Sequence, residues 1–249
     1  MSPKIFNHNS YEYRNFARSN GGQNNGAYWY SKEITDNVIP KIDTDRNWVT
    51  INAPGRCFDH SVVFIHNNKS PEKYDWLKRY KDLVLVCGVP QTVERIKEIL
   101  PMHQVIYLPL SVDVDYVKTF KREKTKNACF AGRLDKKTDN LPKGCDIIGN
   151  ISRDELLPLI AEYRTVYAVG RCAIEAKILG AKIGIYDERF PEDIWEVVDN
   201  SEAAWILQRT LDKIDGIAEQ REKALKDELS TLWKREKEIK QQLKTLKEE

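Results

Sequence analysis

Short apolar runs rich in Val and Ile recur along this chain, and each is followed by a helix-like segment. WVTIN, SVVFIH, LVLVCG and VIYLPL occupy the first half, and ACFAG, CDIIGN, TVYAVG and KIGIYD the second. Runs this apolar, bounded by Gly, Pro and Asn, describe strands covered on both faces, which are strands of a parallel sheet. Between several of them lie helices with recognisable starts. SPEKYDWLKRY opens on a Ser-Pro pair, and SRDELLPLIAEY opens with Ser152 and Glu155 in capping-box spacing. Strands alternating with helices imply right-handed βαβ units, so the expected class is α/β.

A chain of 249 residues exceeds the commonest domain size. Near its middle, SVDVDYVKTFKREKTKN shifts from apolar to basic and back, as an inter-domain linker does. Two small α/β domains are expected around it, residues 1–111 and 112–205, followed by a third region, 206–249. From Ile214 the character changes, because no Pro occurs there and no Gly follows Gly216. Leu225, Leu229, Leu232, Ile239, Leu243 and Leu246 fall on alternating four- and three-residue steps, with Glu236 interrupting the seam. The pattern describes either a short coiled coil, which pairs two copies into a homodimer, or a helix lying back on its own chain.

Composition narrows the function classes. Hydrophobic residues make up 41% of the chain and aromatics 10%, enough for real cores and against a disordered protein. A net charge of +2 leaves no global field to recruit nucleic acid or an anionic membrane, although a local basic groove stays open. Cys57, Cys87, Cys129, Cys145 and Cys172 are odd in number, scattered and without CxxC spacing. They read as buried thiols in a reducing compartment in preference to a disulfide framework or a zinc site. The start, MSPKIFNHNS, has no apolar signal core, and no stretch approaches the roughly 20 apolar residues of a membrane span. A cytoplasmic location is the expectation.

Ligand sites in parallel α/β sheets lie at the carboxyl ends of strands, where loops lead into helix N-termini. Gly132 and Arg133 follow one apolar run, Gly170 and Arg171 another, and His66, Asn67 and Asn68 a third. Glycine lets backbone approach a ligand, helix N-termini favour phosphate, and arginine offers it a bidentate fork. The stretch GRCAIEAKILGAKIGIYD adds a carboxylate, Glu175, among Ala173, Ile174, Ala176 and Ile178. Those neighbours leave little room for a polar face, so Glu175 is either solvated or turned into a site. One turn into its helix, it is placed to accept two hydrogen bonds from a diol such as a ribose. Arg171 reads equally as a phosphate ligand or as a brace for Asp187, and the aromatic cluster from Ala27 to Tyr30 reads as helix packing.

In order and spacing, FAGRL, PKG, GNISRDELLPLIAEY and VGRCAIEAKILGAKIGIYD resemble the C-terminal half of GT-B glycosyltransferases. Upstream, KDLVLVCGVPQTVERIKEIL and VIYLPLSVDVDYV are similar to the family's crossing between its two Rossmann-like domains. KIFNHN and GGQNNGAYWYSKEI are similar to its first strand and Gly-rich loop. The resemblance spans most of residues 1–200 and implies two Rossmann-like domains facing across a cleft, with transfer of a sugar from a nucleoside diphosphate sugar. It implies that Glu175 holds the ribose hydroxyls and that Arg133 and Lys143 meet the diphosphate. Gly21, Gly22 and Gly26 would line the cleft from the first domain, and His66 would face the sugar or acceptor, with His60 an equal competitor as general base. Many retaining members carry a first glutamate eight residues before the second, where this chain has Tyr167. No carboxylate pair with clear metal-ligand spacing follows a strand, so the donor is expected to bind without a metal or other cofactor. A GT-B-like binding protein without catalysis and a phosphosugar epimerase on the same fold are the alternative readings.

Overall fold

The computed structural model describes residues 3–7, 26–51, 56–65, 71–134, 137–216 and 218–248. In the first part of the chain come β1 (Ile5–Asn7), α1 (Gly26–Glu33), β2 (Asn47–Ile51), β3 (Ser61–Ile65), β4 (Leu83–Cys87), α2 (Pro90–Ile99) and β5 (Gln104–Tyr107). These strands form one five-stranded sheet in the order β1-β2-β3-β4-β5, every neighbouring pair parallel. All five residues of β3 and all five of β4 are buried, which is why VVFI and LVLVC are unbroken apolar runs. Sequential order means that this sheet winds in one direction and has no point where its strand order reverses.

Next come β6 (Ser111–Val112), α3 (Val114–Lys118), β7 (Lys126–Gly132), β8 (Asp146–Gly149), α4 (Arg153–Ile160), β9 (Tyr163–Tyr167), α5 (Arg171–Ile178), β10 (Lys182–Gly184) and β11 (Val198–Asp199). A four-stranded parallel sheet has the order β10-β9-β7-β8, and β6 pairs with β11 as a separate parallel two-stranded ladder. The charge-dense segment expected to be a linker thus carries structure of its own. Asp113 caps α3, its carboxylate accepting from Tyr116 N at 2.8 Å, and β7 begins eight residues after that helix ends.

Two segments depart from plain α-helix. Residues Pro71–Arg79 form a 3-10 helix, because the side chains it buries, Tyr74 and Leu77, with Tyr80 packed partly against the same core, stand three apart. Residues three apart share a face of an α-helix as well, but they eclipse one another in a 3-10 helix, which lines the repeat up most closely. After Glu33 the helix of α1 widens into a π-helical turn, Ile34–Val38, and tightens into a 3-10 turn, Ile39–Lys41. Pro40, which lacks an N–H, stands in that second turn.

Each sheet has its own core. Val49, Val63, Leu85, Tyr74, Leu77 and Ile96 are among the residues packed at the first sheet, and Cys129, Leu157, Ile160, Val166, Ile174 and Leu179 among those at the second. The chain divides into two compact units, Met1–Trp205 and Ile206–Glu249, and α6 (Asn200–Ile214) crosses the division. The second unit is otherwise α7 (Ala218–Glu248), on which Leu225, Leu229, Leu232, Trp233 and Ile239 are all exposed. No helix among the described residues is long and apolar enough to cross a membrane.

Candidate ligand site at the second sheet

From β7 the chain passes to β8 on one side, returns through α4 to β9 on the other side of β7, and continues outward through α5 to β10. Strand order therefore reverses between β7 and β9. Outside the carboxyl ends at such a reversal is where open α/β sheets take their ligands. Gly132 ends β7 there and Arg133 follows it, and Gly170 and Arg171 come after β9.

Glycine is required at several of these positions by backbone geometry. Gly170, the residue before α5, has φ +65°, and a Cβ built on it would meet nothing within 4 Å. The conformation demands glycine, while the space beside it is open. A Cβ on Gly149, at the end of β8, would lie 2.5 Å from the Gly132 carbonyl, so the ends of β7 and β8 approach too closely for any side chain. Tyr167 stands where a first glutamate would stand in many retaining glycosyltransferases, and its ring lies 2.3 Å from where a Cβ on Gly184 would be. That tyrosine packs on the neighbouring strand.

Glu175 is turned inward. Its side chain is 3% exposed, and Oε1 accepts from Arg153 Nε at 2.8 Å and from Arg171 Nη2 at 3.2 Å. The same two arginines reach a second buried carboxylate, Glu33 at the end of α1: Arg153 Nη1 and Arg171 Nη2 donate to its Oε1 at 3.3 and 3.2 Å. Glu33 Oε2 accepts from Asn200 Nδ2 at 2.7 Å and Asn37 Nδ2 at 3.0 Å. Burial alone raises the Glu33 pKa, but Arg171, the Asn200 amide, Arg153 and Asn37 together outweigh it and hold the carboxyl below the ordinary glutamate value. The Arg153 guanidinium also lies 5.7 Å from the Trp29 ring centroid and 5.2 Å from that of Tyr116, so two aromatic faces help to shield it.

Two guanidinium groups and two carboxylates thus neutralise one another in a desolvated cluster built from α1, α4, α5 and the first residue of α6. Such a cluster is a weak source of stability, since each ion gives up several kcal/mol of hydration. Its donors are also underused. Arg153 Nη2, Arg171 Nη1 and Asn200 Oδ1 are buried without a hydrogen-bond partner. Arg171 therefore braces Glu175 and Glu33, while Asp187, the alternative partner, is held by Arg189 Nε at 2.9 Å.

The remaining sequence candidates fall in different places. Arg133 and Lys143 are exposed, on the connection between β7 and β8. That connection is anchored near the end of β10 by Thr138 Oγ1, which donates to the Tyr186 carbonyl at 3.1 Å. Gly26 is the first residue of α1, whereas Gly21, Gly22 and His66 lie outside the described residues. His60 precedes β3, at the amino edge of its sheet, opposite the carboxyl ends. Its Nδ1 meets Asp82 Oδ2 and its Nε2 meets Asp45 Oδ1 at 2.9 Å, so carboxylates occupy both ring nitrogens. Those bonds, Asp82's first, raise its pKa. A general base needs a free nitrogen beside its substrate, and His60 has neither the nitrogen nor the position.

Burial pushes the Cys57 thiol up to about 11 and those of Cys87 and Cys129 up to about 12, which keeps them protonated and unreactive. Among the described residues no group of three or more His, Cys, Asp or Glu is arranged to hold a metal ion. The sequence pattern offered no sign of Glu33, Arg153 or Asn200, because each reaches the site from an element distant in the chain. Compared with family profiles, curated proteins and solved structures, the chain matches none.

Proposed function

We propose that the chain is a GT-B-type glycosyltransferase that moves a sugar from a nucleoside diphosphate sugar to an acceptor. One observation carries this reading. The strand-order reversal of the second sheet brings an open glycine, the N-terminus of α5 and a carboxylate, Glu175, to one end of the sheet. Residues 112–205 bind the donor in this reading and residues 1–111 the acceptor. Helix N-terminal amides, Arg133 and Lys143 neutralise the diphosphate as it leaves. The bond from the anomeric carbon to the diphosphate oxygen breaks, a bond to the acceptor oxygen forms, and in an inverting course the acceptor proton passes to His66. Closure of the two sheets' loops over the cleft keeps water from taking the sugar.

The second reading, a nucleotide-sugar-binding protein without turnover, draws support from Tyr167, whose ring packs against Gly184 in the place where many retaining members carry their first glutamate. Both readings are tested by calorimetric titration with UDP, GDP, ADP, CMP and their sugar conjugates, beside Glu175→Gln, followed by assays of transfer and hydrolysis. Saturable binding of one diphosphate, weakened by the substitution and accompanied by turnover, is the result expected of the transferase. Binding without turnover selects the second reading, and no binding by any nucleotide sinks both.

A further inference from the structure

Glu33 differs from the other three charges of the buried cluster in where it comes from. Arg153, Arg171 and Glu175 belong to helices packed at the second sheet, whereas Glu33 arrives on α1, 120 and 138 residues from the arginines it meets. Both of its bonds to the arginines are loose. A charge-assisted N–H···O bond ordinarily spans about 2.7–2.9 Å. Arg153 to Glu175 meets that at 2.8 Å, whereas both Glu33 bonds, at 3.3 and 3.2 Å, fall outside it, as does Arg171 to Glu175 at 3.2 Å.

Donor capacity is left over as well. Arg153 Nη2 and Arg171 Nη1 are buried without an acceptor, on side chains 9% and 6% exposed. Each arginine is the first residue of an eight-residue helix. Both helix N-termini, with their partial positive charge, therefore stand at the cluster. One carboxylate oxygen serves two guanidinium forks poorly. A group with several oxygens and more than one negative charge serves them well.

We propose that Glu33 is an internal stand-in for a bound diphosphate: its carboxylate occupies Arg153 and Arg171 in the ligand-free protein, and a diphosphate group engages both arginines by displacing it. This rests on the reading that the site takes a diphosphate, and it adds two ligand residues, Arg153 and Arg171, and one competitor. Displacement leaves Glu33 its amide partners Asn37 and Asn200, and Trp29 beside Arg153, while the ion pairs that tie α1 to α4 and α5 are lost. Ligand binding is thereby coupled to a weakened hold on α1. Glu175 stays behind, because Arg171 lies one turn away on the same helix.

The test uses the full chain and inorganic pyrophosphate as the probe. Glu33→Gln keeps the size of the side chain and removes the competing charge, so calorimetry should find pyrophosphate bound about tenfold more tightly, a change of about 1.4 kcal/mol. Affinity equal to or below that of the unsubstituted protein overturns the proposal, as does the absence of binding by both at millimolar pyrophosphate. Should the variant fail to fold, hydrogen exchange on the unsubstituted protein decides: faster exchange of residues 26–41 at saturating pyrophosphate supports displacement, and unchanged or slower exchange overturns it. A tenfold gain in Glu33→Gln without turnover of any nucleotide sugar would sink the transferase reading alone. Turnover with no gain would sink only the displacement.

Discussion

Glu175 accepts from two buried arginines, and removing its charge leaves the cluster with one positive charge too many. Truncating one partner of a buried ion pair costs about 3–5 kcal/mol, so Glu175→Gln should lower unfolding stability by about 3 kcal/mol in urea titrations. The double variant Arg171→Met with Glu175→Leu should cost clearly less than the two single changes together, since neither charge is then stranded. Additive losses would mean that the pair is not coupled. His60 presents the same physics at the surface. Its folded pKa is raised above the ordinary 6.5, chiefly by Asp82, so the stability it contributes is fully present below that value and is lost as pH rises through the folded pKa. Asp45 and Asp82 are shifted the other way. Their contributions are present above the ordinary carboxylate value and lost as pH falls through the depressed one. Melting temperatures measured across pH should decline on the alkaline side of 6.5, and His60→Asn should flatten that decline. Asn suits the site sterically, because His60 sits at φ +52°, which asparagine tolerates better than most residues.

At the scale of the element, the start of α4 is specified twice over. Ser152 and Glu155 satisfy each other's backbone N–H groups in a capping box, and Ser152→Ala should cost about 1 kcal/mol, read as a shift of the urea midpoint. The start of α5 is specified by conformation alone. At Gly170 a methyl group would clash with nothing, so Gly170→Ala isolates the cost of its backbone conformation, φ +65° and ψ −138°, about 1–3 kcal/mol, from any steric contact. Both starts were legible from local signals, a Ser three residues before a Glu and a Gly after an apolar run. The 3-10 geometry of Pro71–Arg79 was not, because the SPEKYDWLKRY cap is shared by α- and 3-10 helices and only the packing of Tyr74 and Leu77 chooses between them. The Ser111–Val112 ladder was equally silent, since its partner lies more than eighty residues away and two residues carry no periodicity.

For the molecule as a whole, α7 poses a question of assembly. Its seam would place Glu236 against its own copy in a parallel pair, and like charges at a core position oppose association. If α7 joins two copies, Glu236→Leu should tighten self-association in sedimentation, and deletion of residues 218–249 should abolish it; a monomer in all three proteins would show that α7 does not pair with itself. The sequence by itself determined the α/β class and placed the apolar strands, most firmly β3 and β4, because a strand buried on both faces must be written as a largely apolar run, and that requirement is local. It also drew attention to Glu175, because a carboxylate among small apolar neighbours has few places to go. Tertiary structure alone decided what Glu175 meets. Arg171 stands one turn before it on the same helix, but Arg153 comes from α4, and both arginines are shared with Glu33, which Asn200 holds in turn; compensation of buried charge is a condition on positions in space, which neighbours in sequence record only in part.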